Sequence, residues 1–228
     1  MKNEILLLLT VVIIYGGVLL CYRFFGKHGL FAFTSMATVL ANIEVLILVS
    51  AFGMEQTLGN VMFASTYLIT DILSENESKK DASKAVYIGI FTSLIMLVLT
   101  QTWMLFTPSP SDLAMPAIKQ IFSTTPRLML ASILGYAVSQ RLDVWLYHAW
   151  WTLTSKRGDS RRMLWLRNNF STLISQLINT LLFTTVAFFG KYDTSTFIAI
   201  LISSYVIYIF TSLLDTPAVY IARRMKES

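Results

Sequence analysis

The sequence predicts an all-α fold, a polytopic membrane helix bundle of six to seven transmembrane helices. Three observations carry this. Only 14% of the 228 residues are charged, while 55% belong to the AVILMFWYC set; an ordinary soluble domain is about 25% charged. Apolar runs of roughly 20 residues, the length that crosses a bilayer, recur along the chain, and the mean hydropathy is +0.61. Four of the five prolines fall between residues 108 and 126 and the fifth, Pro217, follows the last run, so none interrupts a helical pattern. A soluble enzyme is excluded, and a single transmembrane domain, 1–228, accounts for the chain.

Spans are expected at 4–22, 30–52, 57–74, 85–106, 126–147, 164–190 and 195–216. The first follows Lys2, ends at Arg23 and Lys27 and has no small-residue cleavage pattern, which suits a retained span better than a signal peptide. It belongs either to the transport core or to the edge of a six-helix core. The second carries Asn42 and Glu44 in mid-span, and the third, TLGNVMFASTYLITDIL, is short and rich in small and polar residues. A charged turn, SENESKKDASK, leads to the fourth, with Lys79 and Lys80 expected in a solvated loop. Between Pro110 and Pro126, Ser111 or Asp112 as N-cap, followed by spaced apolar residues, makes a short interfacial helix or an ordered loop. The fifth span opens at Pro126, the sixth leads in through Arg167, Asn168 and Asn169, and the seventh stops before Pro217.

Seven spans sort the basic residues onto two sides. Lys2, Lys119, Arg127 and Lys191 lie on one. Twelve lie on the other: Arg23, Lys27, Lys79, Lys80, Lys84, Lys156, Arg157, Arg161, Arg162, Arg223, Arg224 and Lys226. The positive-inside rule places the N-terminus outside and the C-terminus in the cytoplasm. The net charge of +5 is therefore a membrane-sidedness signal, and no nucleic-acid partner is expected. One cysteine, Cys21, and two histidines, His28 and His148, cannot build an internal disulfide or a Cys/His metal cluster. No cofactor and no metal are expected. Phosphate-loop, HExxH and GxSxG motifs are absent, as are voltage-sensor and potassium-filter patterns. A solute carrier is the most economical remaining class, and no enzymatic activity is expected.

Ionisable groups inside a bilayer cost at least about 2.5 to 3.5 kcal/mol on insertion scales, so they face partners or water-filled cavities. Glu44, Asp71, Asp143, Arg167 and Asp215 are such groups. The fifth span carries a stripe of Ser132, Tyr136, Ser139, Gln140 and Asp143, and the sixth one of Asn168, Thr172, Ser175, Gln176 and Asn179. Both follow the helical period, so each stripe shares one face. Such a stripe either glues helices together, at about 0.6 kcal/mol per hydrogen bond, or lines a cavity for a polar solute. Two stripes together with several carboxylates favour the cavity.

The blocks ANIEV (41–45), TLGNVMFASTYLITDILSE (57–75), KAVYIG (84–89), PRLMLAS (126–132), SQRLDVW (139–145), LWLRNNFSTLISQ (164–176) and LLDTP (213–217) resemble the queuosine-precursor transporter family, part of the vitamin uptake transporter grouping. The resemblance runs from about residue 38 to residue 222, with two departures. SENESKK stands where the family pattern has SExYGKK, and Asn179 where an Asp is usual. It implies uptake of a deazaguanine base, 7-cyano-7-deazaguanine or 7-aminomethyl-7-deazaguanine, across the bacterial inner membrane by secondary transport. The alternative is the substrate-binding subunit of an ATP-driven vitamin importer, to which the small pair Ala37 and Ala41 would offer a docking face. For such a nucleobase-like substrate, Glu44, Asp71 or Asp143 would meet the donor edge. Asn60, Gln140, Asn168 and Gln176 would meet the remaining polar atoms. Tyr67, Phe63 or Trp145 would stack on the ring, and Arg167 would pair with an acidic side chain or a lipid phosphate. Lipid is a partner throughout, and a homodimer is left open.

Overall fold

The computed structural model describes residues 2–123, 126–155, 163–191 and 193–227. Its elements are α1 (Lys2–Glu44), β1 (Leu48–Ala51), β2 (Met54–Thr57), α2 (Gly59–Asn76), α3 (Lys79–Trp103), α4 (Met115–Ser123), α5 (Pro126–Ser155), α6 (Leu164–Phe188) and α7 (Thr194–Glu227). The all-α bundle read from the sequence is the architecture found. Among the described residues four helices are long and apolar enough to cross a membrane, or five if α4 and α5 form one bent span. Two structural facts explain why this number is lower than seven.

The first is that α1 is two antiparallel arms. Gly26 breaks it with φ 57° and ψ −146°, a conformation open to glycine alone at little cost. The chain then doubles back: a side chain on Gly29 would strike the Cys21 carbonyl oxygen, and a Cβ on Gly17 would lie 3.2 Å from the Phe33 ring. The expected spans 4–22 and 30–52 are these arms, but the second ends early, at Glu44. Residues 48–57 form an antiparallel hairpin instead, Leu48 opposite Thr57 and Ala51 opposite Met54. Phe52 and Gly53 both have positive φ, as a two-residue hairpin turn with strand-matching twist requires. The N-terminus secures this hairpin. Asn3 Nδ2 donates to the Ser50 carbonyl at 2.8 Å, and the Phe52 N–H donates to Glu4 at 3.2 Å.

The second fact is α2, whose apolar run is interrupted by Asn60, Ser65, Thr66, Thr70 and Asp71, all buried. A helix buried all round belongs at the centre of a bundle, and α2 packs on α1, α3, α5 and α7. Close approach is local: a Cβ on Gly59 would lie 2.8 Å from both the Ala41 carbonyl and the Val45 nitrogen. Ala37 and Ala41 are buried, so this small-residue pair is used within the chain rather than offered to a partner subunit.

Ser78 caps α3 by accepting from the Asp81 N–H at 3.1 Å. Asp112 caps α4 by accepting from the Met115 N–H at 2.8 Å, which makes the 115–123 segment a helix. Helix α7 does not stop at Pro217, as the expected span did, but runs through it to Glu227. The lost backbone hydrogen bond is offset by burial of Ala218, Val219 and Ala222 and by ion pairs from Arg223 to Glu75 and from Lys226 to Glu77, at 3.3 and 3.1 Å.

These contacts sort the molecule into two ends. Lys27 pairs with Asp81 at 3.2 Å, Tyr22 donates to Glu77 at 2.8 Å and Lys226 reaches both Glu77 and the Asn76 carbonyl. The turns at 23–27 and 75–84 and the C-terminus thus share one cation-rich end. Lys156, Arg157, Arg161 and Arg162, expected on that side, lie outside the described residues. At the opposite end are the hairpin, Ser203 donating to the Glu55 carbonyl, and Arg127, which donates to the Val186 and Phe189 carbonyls closing α6. A cation there complements the negative end of the helix. The first arm is also part of the packing: Leu7, Val11, Ile14, Tyr15, Val18 and Tyr22 are buried.

Candidate functional site

The inner faces of α2, α5, α6 and α7 form a polar column along the bundle axis. On α2 it is built by Asn60, Phe63, Tyr67, Asp71 and Ser74, which recur every three or four residues and so share a face. All five are buried, as is every residue of the two stripes on α5 and α6. Helix α7 adds Tyr208, Ser212 and Asp215, also buried.

At the end away from the cations, Asn60 Oδ1 accepts from Thr57 and Tyr208, both at 3.3 Å, and Asn179 Nδ2 donates to Tyr208 at 3.5 Å. Asn60, Asn179 and Tyr208 line a cavity of about 20 Å³ with Ser132, Phe63 and Phe183. That is room for about one water and not for a purine-sized ring. Phe63 of this lining meets Tyr136 edge-to-face, their centroids 5.4 Å apart.

Beneath them, Gln140 Nε2 donates to Thr66 at 2.7 Å and its Oε1 accepts from Thr70 at 3.1 Å, while Tyr67 donates to Ser139 at 2.7 Å. These bonds staple α2 to α5. One layer further, Thr172 donates to Asp71 Oδ2 at 3.1 Å and Ser175 to Asp143 Oδ1 at 2.9 Å. Asp71, Asp143 and Asp215 lie within electrostatic reach of one another.

Several polar atoms in this core have no hydrogen-bond partner among the described residues. They are Asp71 Oδ1, Asp143 Oδ2, Asn168 Oδ1 and both polar atoms of the Gln176 amide. Leaving a buried polar atom unsatisfied costs about 1–3 kcal/mol, more when it is charged, and native interiors keep few of them. Carboxylate acceptors beside an amide that can donate and accept suit a flat solute with N–H donors and a carbonyl. No group of three or more His, Cys, Asp and Glu side chains among the described residues is arranged to hold a metal ion.

A family model described as "Putative vitamin uptake transporter" matches residues 57–222, the stretch that supplies the whole polar column. The chain belongs to the vitamin uptake transporter family. A Bacillus subtilis (strain 168) protein named "Probable queuosine precursor transporter" is 42% identical over 208 residues, 91% of this chain and 89% of the relative. A second family model, of a family of unknown function, matches residues 2–108. No solved structure matches the chain.

In this vitamin uptake transporter, Asp71, Gln140, Asp143, Asn168 and Gln176 come together in the buried core, whereas two of the expected residues stand apart. Asn60 is eleven residues from Asp71 along α2, about 16 Å at 1.5 Å per residue, and belongs to the small cavity. Glu44 is not in mid-span: it is the last residue of α1, half-buried, because the chain leaves the helix there for the hairpin. Tyr67 and Phe63 are buried in the column, but Trp145 is 57% exposed and lines an open vestibule at the cation-rich end. Arg167 does pair with an acid, Glu75, at 2.8 Å. Glu75 itself, part of the expected charged turn, is nearly buried, and Asp215, expected as an ionisable group within a span, joins the column together with the unassigned Tyr147 and Tyr208. The cue for Glu75 was its position four residues after Asp71, on the same face of α2.

Proposed function

We propose that this protein is a secondary transporter that brings queuosine precursors, 7-cyano-7-deazaguanine or 7-aminomethyl-7-deazaguanine, across the bacterial inner membrane, with its C-terminus in the cytoplasm. The observation that carries the proposal is the buried core in which Asp71, Asp143, Asn168 and Gln176 hold polar atoms without partners among the described residues. The name of the 42% identical relative supports the choice of solute. Asp71 and Asp143 take the amino and ring N–H edge, Gln176 and Asn168 the carbonyl and remaining polar atoms, and Tyr67 the ring face. Gln140 holds Tyr67's neighbours in place, and Asn60 and Glu44 lie on the route from the opposite end. The twelve basic residues assigned to one side support the orientation.

Purified protein in liposomes tests this. Time-dependent uptake or exchange of radiolabelled 7-cyano-7-deazaguanine, with no ATPase present, is the expected result. Uptake no faster than in protein-free liposomes for both precursors overturns it.

A further inference from the structure

An open vestibule of about 690 Å³ at the cation-rich end reaches inward to Ser74 and Glu75. Asp71, fully buried, lies four residues deeper on α2, about 6 Å along the axis. Little more than one helical turn therefore separates the open space from the polar core, and one network closes that wall. Glu75 Oε2 accepts from Tyr147 of α5 at 2.6 Å and from Arg167 of α6 at 2.8 Å, and Arg223 of α7 lies 3.3 Å from Oε1. Trp151 covers the Arg167 guanidinium with its ring centroid at 4.3 Å, and Trp151 also lines the vestibule. The Arg167 side chain is fully buried and that of Glu75 4% exposed. A single carboxylate thus joins the four helices that form the column, at a level where the column meets open space.

We infer that Glu75 and Arg167 are the gate of the transport path on the cation-rich face. The inference rests on the transport function proposed above. Parting a buried ion pair is costly, so the closed arrangement resists partial opening. Glu75 and Asp71 ride on one helix, so a solute that displaces α2 through Asp71 moves the gate with it. Tyr147 and Trp151 act as positioning residues for the pair.

Side-specific labelling tests the gate without needing the solute. Ser139→Cys, in a chain also carrying Cys21→Ser, puts a thiol in the core. It is probed with a membrane-impermeant maleimide in vesicles of known sidedness. With the gate intact, labelling from the face bearing Arg223 and Lys226 is slow. Glu75→Gln is expected to raise it at least about tenfold while leaving labelling from the other face unchanged, and Tyr147→Phe to raise it less, on the same face. Unchanged rates in the folded variants, or equal increases from both faces, overturn the gate and leave a structural staple. If Glu75→Gln does not fold, Tyr147→Phe decides by the same criterion. Failure of the proposed function shows separately, as absent uptake by the wild-type protein.

Discussion

Ser175 of α6 donates its hydroxyl to Asp143 Oδ1 of α5 at 2.9 Å, joining the middle of one polar stripe to the end of the other. The Ser171 and Thr172 carbonyls of its own helix also lie within hydrogen-bonding distance of that hydroxyl, so they compete with Asp143 for its single proton. Asp143 keeps Oδ2 without a partner among the described residues. The stripes therefore do two things at once: some members glue helices, others are left for a solute.

Gln140 and Gln176 separate these roles. Gln140 bonds on both sides of its amide, to Thr66 and from Thr70, so Gln140→Leu is expected to lower stability by about 1–3 kcal/mol. Gln176 has no partner among the described residues, so Gln176→Leu is expected to keep or raise the Tm yet weaken precursor binding by at least about tenfold, or 1.4 kcal/mol. Thermal unfolding and equilibrium binding on the two variants check this.

A matched glycine pair tests the hairpin turn of α1. Gly26→Ala has open space around its Cβ but inherits φ 57°, and is expected to cost about 1–3 kcal/mol. Gly16→Ala also meets nothing within 4 Å and has no such φ, so it is expected to stabilise by up to about 1 kcal/mol through helix propensity. Opposite shifts in Tm are the predicted outcome.

Gly89 sits against Tyr136: a Cβ there would strike the phenol oxygen and lie 2.7 Å from Cζ. Gly89→Ala is expected to cost about 1–3 kcal/mol by overpacking. The Tyr136 hydroxyl is buried with no partner among the described residues, so Tyr136→Phe is expected to be neutral or stabilising, and the double variant to recover part of the loss. A double-mutant cycle in Tm reads the coupling.

Asp193, exposed and outside the spans, accepts from the Thr196 hydroxyl at 2.6 Å and the Thr196 N–H at 3.1 Å. These bonds hold its carboxyl below the usual range. A lowered folded-state pKa means the cap contributes above the unfolded value and is lost as pH falls below about 4. Hydrogen exchange in the first turn of α7 is expected to quicken in acid in the wild type, and to be independent of pH there, after correction for intrinsic rates, in Asp193→Asn.

How much of the site was legible follows from where each signal resides. The stripes on α5 and α6 are a one-dimensional periodicity, and the structure turns both inward. Glu75 falls in an expected charged turn because the charged run after it hides its register with Asp71. Trp145 rests on residue type, which says nothing about which way a helix faces, and Glu44 on an apolar run that does not mark where the helix within it ends.

From sequence alone came the membrane class, the order of the passes, the cation-rich side and the polar faces, because hydropathy, charge and helical period are properties of neighbours along the chain. Tertiary structure decided the rest. It reversed the chain at Gly26, drew residues 48–57 out of the helix into a hairpin and carried α7 past Pro217. It also satisfied Gln140 while leaving Gln176 without a described partner, and placed Glu75 among Tyr147, Arg167 and Arg223. Each of those outcomes depends on which groups from distant helices arrive opposite a given side chain, since burial and hydrogen-bond satisfaction are settled only when the helices pack.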